Sequence, residues 1–101
     1  MQIHGDLMLN GQPFMPFASL GGGFAAHCIV CTAPSKTFNL AGLKPGIVII
    51  PNTRIRRDFR HTLLACGIGS PNLFCLEGVK AAYAFGDPWL NDLMGYLEAN
   101  A

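Results

Sequence analysis

Residues 28–52, CIVCTAPSKTFNLAGLKPGIVIIPN, decide the fold of this chain because they hold two short apolar runs separated by a polar turn. The first run, 28–32, ends before Ala33 and Pro34, and the second, 46–51, ends at Pro51. Their length and β-branched residues predict two buried strands, and a proline ends a strand because it cannot donate to the ladder. About a dozen residues join the runs, which is enough for a crossover or a wide loop.

Three helices are predicted after the second strand. Asn52 caps the first, which runs to about Cys66, and the second starts near Asn72 and ends at Gly86. Asp87 is the expected N-cap of the third helix, with a proline at its first helical position. The predicted apolar faces are Ile55, Phe59 and Leu63; Leu73, Leu76, Val79, Ala82 and Tyr83; and Leu90, Leu93, Met94 and Leu97.

The composition indicates that the domain is incomplete. The chain has 101 residues, so at most one domain fits, and 50% of them are apolar while only 13% are charged. An ordinary soluble domain carries about 25% charged residues, and a small domain has more surface to keep polar. The apolar excess therefore predicts a surface covered by more of the same polypeptide or by a second subunit. Two or three strands followed by three helices is also a short inventory for an α/β domain.

Charge and hydropathy exclude several classes of function. The formal net charge is +1, and the one basic cluster, residues 54–57, alternates with an apolar residue, so no nucleic-acid partner is expected. No apolar run approaches the ~18 residues of a membrane span, and the first residues do not resemble a signal peptide. The cysteines are expected to be reduced, as in a cytoplasmic protein.

The cysteines raise an alternative function, either metal binding or redox chemistry. Cys28 and Cys31 form a CxxC pair, but Cys66 and Cys75 are too widely spaced to complete a zinc site. A redox CxxC needs a thiol of low pKa and commonly lies at a strand-to-helix turn. Because this pair lies inside an apolar run, free thiols packed in the interior are favoured over redox chemistry.

The turn between the strands carries a candidate nucleophile. Lys36 directly follows the first strand and lies between the hydroxyls of Ser35 and Thr37. Burial favours a neutral amine, and a neutral amine attacks an aldehyde to form a Schiff base. The two hydroxyls could donate to a phosphate, and Lys44 could supply positive charge. On this chemistry alone, a lysine that caps a turn with its ammonium group in water is the simpler interpretation.

The order of residues in TAPSKTFNLAGLK, 32–44, favours the nucleophile. It resembles the lysine signature of the fold-type I aminotransferase superfamily of pyridoxal 5'-phosphate (PLP) enzymes: a small residue and serine before the lysine, then a small-apolar-x-glycine run, then a basic residue eight positions after the lysine. Within that superfamily the chain is most similar to the cystathionine β-lyase, or MalY/PatB, group of carbon–sulfur lyases. The similar segments are IHGDLML (3–9), PFASL (16–20), IVIIPN (47–52) and AAYAFGDPWLNDLMGYLEAN (81–100).

The resemblance implies an α/β fold, as a partial large domain of a fold-type I PLP-dependent transferase. Residues 1–86 correspond to the C-terminal part of the PLP-binding large domain, and residues 87–101 to the start of a linker helix toward a small domain. The implied activity is PLP-dependent carbon–sulfur β-elimination on an amino acid such as cystathionine, or transamination, in a cytoplasmic homo-oligomer such as a dimer. The alternative is a non-catalytic remnant or a self-associating interaction module.

The resemblance also assigns roles in the site. Lys36 corresponds to the Schiff-base lysine and to the base that removes the Cα proton. Ser35 corresponds to a hydroxyl near the phosphate, Lys44 to a basic residue that binds the phosphate, and His4 to a residue close to the cofactor ring. Lys44 replaces an arginine that the superfamily often uses, so an ammonium group stands where relatives have a planar guanidinium group that can donate two parallel hydrogen bonds.

Several expected groups are missing from the sequence. Ala33 stands where many relatives have a phosphate-binding hydroxyl, and Met1 stands at the position of the carboxylate that pairs with the pyridine nitrogen. A glycine-rich phosphate loop and an arginine for the substrate carboxylate are also absent. The resemblance therefore implies an interior slice of the enzyme with little or no activity alone.

Overall fold

The two predicted strands are present and pair with each other. The computed structural model of the protein describes residues 2–101 and contains strands β1 (Val30–Thr32) and β2 (Ile47–Ile49). The strands are antiparallel, with Cys31 opposite Val48. They are shorter than predicted, and a wide loop rather than a crossover joins them, since an antiparallel pair needs no crossover.

β1 has a second neighbour. The backbone N–H of Gln2 donates to the carbonyl of Cys31 at 2.8 Å, and the Thr32 hydroxyl donates to the carbonyl of Gln2 at 3.2 Å. The start of the described chain therefore runs along the edge of β1 that β2 leaves free. β2 was predicted to be buried, which is wrong here: Val48 and Ile49 are exposed, because within residues 2–101 only β1 pairs with β2.

All three predicted helices are confirmed, as α1 (Thr53–Ala65), α2 (Leu73–Phe85) and α3 (Asp87–Ala99). The asparagines before α1 and α2 act as N-caps, since the Asn52 side chain accepts from two backbone amides at 3.0 and 3.2 Å and Asn72 accepts from one at 2.8 Å. Four shorter 3₁₀ turns are also present: Leu9–Gly11, Phe17–Ser19, Phe24–His27 and Ala41–Leu43. None of the helices in the described part of the chain has both the length and the apolarity to cross a membrane.

The helix ends lie where the sequence predicts them, except at the start of α3. After α1, Gly67 adopts a φ of 68°, and the amides of Gly67 and Ile68 donate to the carbonyls of Leu64 and Leu63 at 3.1 and 2.9 Å. This is a Schellman ending, which favours glycine at the left-handed position. Asp87 was expected to cap α3, but it is the first helical residue, and Gly86 precedes it without a side-chain cap.

Much of the apolar surface is uncovered. The accessible surface is 7404 Å², whereas a folded monomer of 10.8 kDa exposes about 5,500 Å². The radius of gyration is 15.8 Å, compared with about 13 Å for a compact domain of this length. The chain therefore shows about 1,900 Å² more surface than a closed domain of its mass, as part of an α/β domain does.

The packed region lies where the loop after β1 meets α2 and α3. The ring of Phe38 makes an edge contact with Tyr83, with centroids 5.7 Å apart, and a tilted contact with Trp89 at 6.2 Å. The other end of α3 is fixed to the N-terminal segment, because the Glu98 carboxylate accepts from the backbone N–H of Asn10 at 2.8 Å. These contacts hold the loop that carries the candidate lysine.

Candidate functional site

Lys36 lies in a tight turn that begins directly after β1. The amide of Phe38 donates to the carbonyl of Pro34, and the amide of Leu40 donates to the carbonyl of Ser35, both at 3.0 Å. Asn39 closes the turn with a φ of 53°, a left-handed conformation that asparagine tolerates better than most residues. The backbone around the candidate nucleophile is therefore ordered by its own hydrogen bonds.

Side chains on both flanks anchor the turn. Pro34 is fully buried, and Thr37 is 0% exposed. The Thr37 hydroxyl donates to a carboxylate oxygen of Asp6 at 2.7 Å, the usual length of an O–H···O hydrogen bond. Phe38 packs on Tyr83, as described above. The turn is thus fixed to the N-terminal segment on one side and to α2 on the other.

Lys36 itself points outward. Its side chain is exposed, and its ammonium group makes no hydrogen bond or ion pair with any other residue between positions 2 and 101. The prediction that Lys36 is buried is therefore wrong for this chain: the inward direction at this point of the turn is taken by Thr37. The amine is open to a molecule that arrives from outside.

His4 lies in the N-terminal segment that contacts this turn through Asp6. His4 is exposed and belongs to a short turn in which its carbonyl accepts from the amide of Leu7 at 3.1 Å. Because Asp6 in the same turn holds Thr37, the segment of His4 and the segment of Lys36 are neighbours. His4 and Lys36 are thus carried by segments that are joined directly.

The other two predicted residues differ in placement. Ser35 is half-buried inside the lysine turn, next to Lys36. Lys44 is exposed at the end of the 3₁₀ turn Ala41–Leu43, with a φ of 54°, and no hydrogen bond links it to the other predicted residues within the described part of the chain. The structure therefore groups Ser35 with Lys36 and leaves Lys44 apart. Met1, where the family has an acid, lies outside the described residues.

Sequence reasoning missed two residues of this neighbourhood. The sequence assigned no role to Asp6, and it predicted Tyr83 only on the apolar face of the second helix. Partial burial raises the pKa of Tyr83 above its ordinary value of 10.0, and the negative charge of Asp6 adds to the rise. Asp6 thus acts on Thr37 and on Tyr83. The position of Asp6, two residues after His4, was the sequence feature that could have indicated its place in the site.

The raised pKa of Tyr83 predicts a loss of stability at alkaline pH. The folded state holds the phenolic proton more tightly than the unfolded state, so this contribution is intact below about pH 10 and is lost as the pH rises beyond it. The effect is small because the side chain is more than half exposed. Urea unfolding between pH 8 and 11.5 should show a steeper decline for the wild type than for Tyr83→Phe. Equal slopes would contradict the assignment.

The cysteines are free thiols. Cys28 and Cys31 are half-buried, Cys66 is exposed and Cys75 is buried. The Cys28 thiol donates to the carbonyl of Ala25 at 3.6 Å, and Cys31 lies in β1. No group of three or more histidine, cysteine or acidic side chains within positions 2–101 is placed to hold a metal ion.

The side chains around the turn suit a ligand with an aldehyde and a phosphate. The amine of Lys36 is the group that condenses with an aldehyde. The hydroxyl of Ser35 and the ammonium group of Lys44 are donors of the kind that phosphate oxygens accept. The imidazole of His4 can donate to or accept from a ring substituent. The chemistry of Lys36, Ser35 and His4 therefore suits the aldehyde, the phosphate and the ring of PLP, whereas Lys44 lies apart from them.

Comparisons with known proteins find relatives along nearly the whole chain. No protein-family model matches the chain. The cystathionine β-lyase PatB of Bacillus subtilis is 46% identical over 99 residues, which cover 98% of this chain and 26% of PatB. The protein MalY of Escherichia coli is 34% identical over 98% of this chain and 25% of its own length. Cystalysin from Treponema denticola, whose structure contains PLP, superposes with a TM-score of 0.86 at 31% identity, over 92% of this chain and 24% of its own.

These similarities extend along nearly the whole chain. They show homology to one segment of the cystathionine β-lyases and of a PLP-bound protein, and they confirm the partial α/β fold. The chain spans about a quarter of the length of the curated relatives that it matches.

Proposed function

We propose that this chain is the part of a carbon–sulfur β-lyase that carries the cofactor lysine. The premise is its homology to one segment of the PLP-dependent cystathionine β-lyases. The observation that supports this most is the 46% identity with PatB over 98% of this chain, a match that includes the Lys36 segment. The exposure of the Lys36 amine does not add to this support. The full protein is proposed to be a cytoplasmic enzyme, and the four free thiols support that compartment.

Each site residue has a proposed role. Lys36 is the Schiff-base lysine, and its freed amine removes the Cα proton of the bound amino acid. Ser35 donates to the cofactor phosphate, Lys44 supplies positive charge to it, and His4 lies beside the ring. PLP, when bound, supplies the electron sink that makes the Cα proton acidic.

The proposed substrate is an amino acid with a Cβ–sulfur bond, such as cystathionine. Loss of the Cα proton and of the thiolate from Cβ, followed by hydrolysis with one water, gives a thiol, pyruvate and ammonia. A transaminase is the second candidate, because transamination begins with the same removal of the Cα proton by the same lysine, and it then returns a proton to a different carbon instead of expelling the thiolate from Cβ. Release of free thiol from cystathionine by a protein containing this segment, without an added keto acid, distinguishes the lyase.

Two further assignments follow. Residues 1–86 are proposed to form the C-terminal part of the PLP-binding domain and residues 87–101 the start of a linker helix, because α3 begins at Asp87 directly after the junction at Gly86. The protein is also proposed to form homo-oligomers. The supporting observation is a set of large apolar side chains between the last turn of α1 and the first turn of α2, each more than half exposed, which we name the α1–α2 patch: Leu64, Ile68, Leu73 and Phe74.

Selective modification of Lys36 tests the cofactor assignment. The chain is incubated with PLP, reduced with borohydride and digested, and the adduct at each lysine is measured by mass spectrometry. We expect the adduct at Lys36 to exceed those at Lys44 and Lys80, and to disappear in Lys36→Arg. Lys80→Arg is the matched control, since Lys80 is exposed on α2 and pairs with Glu77 at 2.7 Å. Equal labelling of all three lysines would favour the non-catalytic interaction module.

A further inference from the structure

The bond between Asp6 and Thr37 joins segments that are 31 residues apart in the sequence. The Thr37 hydroxyl is completely buried, and the Asp6 carboxylate is its acceptor at 2.7 Å. A buried hydroxyl needs a partner, and the exposed residue Asp6 supplies it from the N-terminal segment. The contact therefore fixes the turn, which has its own internal hydrogen bonds, to the N-terminal segment.

The contact lies between the two segments that carry proposed cofactor residues. Thr37 is adjacent to Lys36, and Asp6 is two residues after His4. The N-terminal segment is held on both sides of His4, since Gln2 is bonded to β1 and Asp6 is bonded to the lysine turn. His4 lies between these two anchors, so its position relative to Lys36 depends on both of them.

We propose that Asp6 is a positioning residue that acts through the Thr37 hydroxyl to hold the lysine turn against the segment of His4. The amine and the imidazole are thereby presented to the same ligand. This role rests on the proposed function of Lys36. Asp6 is not itself a catalytic residue, because its carboxylate is engaged by Thr37 rather than turned to a ligand.

Substitutions at Thr37 separate the hydroxyl from the packing. Thr37→Val removes the hydroxyl and keeps the shape, whereas Thr37→Ser keeps the hydroxyl and loses a methyl group. Asp6→Ala removes the acceptor. Thr62→Val is the matched control: Thr62 is an exposed helical threonine whose hydroxyl donates to a backbone carbonyl at 3.0 Å.

Two measurements on the 101-residue chain test the proposal. Hydrogen exchange at the amides of Phe38 and Leu40 reports the order of the turn, whether or not a cofactor binds. We expect exchange at least about tenfold faster in Thr37→Val and Asp6→Ala, with wild-type rates in Thr37→Ser and Thr62→Val. The second measurement is the borohydride-stable PLP adduct at Lys36 relative to Lys44. Its selectivity should fall in the first two variants and persist in the other two.

The outcomes separate this proposal from the one it rests on. Selective labelling of Lys36 in the wild type that survives in both Thr37→Val and Asp6→Ala would overturn the positioning role and leave the cofactor role of Lys36 standing. Unchanged exchange at Phe38 and Leu40 in those variants would also overturn it. A wild type without selective labelling at Lys36 would overturn the cofactor role and the positioning role together. Loss of selectivity in Thr62→Val would show that the effect is not specific to this contact.

Discussion

Gly86→Ala is expected to lower the free energy of unfolding by about 1–3 kcal/mol, because the junction between α2 and α3 has no room for a methyl group. A Cβ atom at Gly86 would lie 2.5 and 2.9 Å from two ring atoms of Phe38 and would also press on the backbone carbonyl of Ala82. The ring is held between Tyr83 and Trp89, and the carbonyl belongs to a helix. Neither neighbour can move without breaking other contacts.

Gly95→Ala is the matched control for this prediction. Gly95 lies inside α3, and a Cβ atom there would meet nothing within 4 Å. Alanine is favoured over glycine inside a helix by up to about 1 kcal/mol, so this variant should be more stable than the wild type. Urea unfolding followed by circular dichroism measures both changes. Opposite signs would confirm that packing against Phe38, rather than glycine content, decides the result, and an unchanged Gly86→Ala would contradict the close approach.

The helices could be predicted from the sequence because local residues determine their ends. Asn52 and Asn72 cap the helices that follow them, and Gly67 adopts the left-handed conformation after α1. The strands were harder to delimit, since apolar runs give no sharp end and the pairing depends on distant residues. The contact between Phe38 and Gly86 has no local signal, because it depends on how the lysine loop packs against the α2–α3 junction.

The candidate site could also be predicted only in part. The position of Lys36 could be predicted because the residues around it form a recognisable string, and the structure places it on an anchored turn. Its burial was predicted wrongly, because periodicity does not tell which side chain of an irregular turn faces inward. The role of Thr37 as the inward residue, and of Asp6 as its partner, could not be predicted, because that contact joins segments 31 residues apart.

The exposed apolar surface determines whether the chain self-associates in solution. An excess of about 1,900 Å² over a closed monomer is roughly twice the ~800 Å² that each partner buries in a specific protein interface of standard size. The α1–α2 patch supplies large apolar side chains at this surface, including Leu64 at 70% and Phe74 at 75% exposed. If copies of the chain associate through the patch, each of these side chains contributes about 1.5–3 kcal/mol when buried.

The double variant Leu64→Ser/Phe74→Ser is therefore expected to weaken self-association by at least about tenfold for each residue, since 1.4 kcal/mol corresponds to a factor of ten. Sedimentation velocity over a range of concentrations gives the dissociation constant. Phe85→Ser is the control, because Phe85 is 81% exposed but lies at the opposite end of α2. A wild-type chain that stays monomeric would rule out self-association and assign the apolar surface to contacts with further polypeptide. An equal loss of self-association in Phe85→Ser would show that the copies associate without a defined interface. A specific interface would involve one end of α2 and not the other.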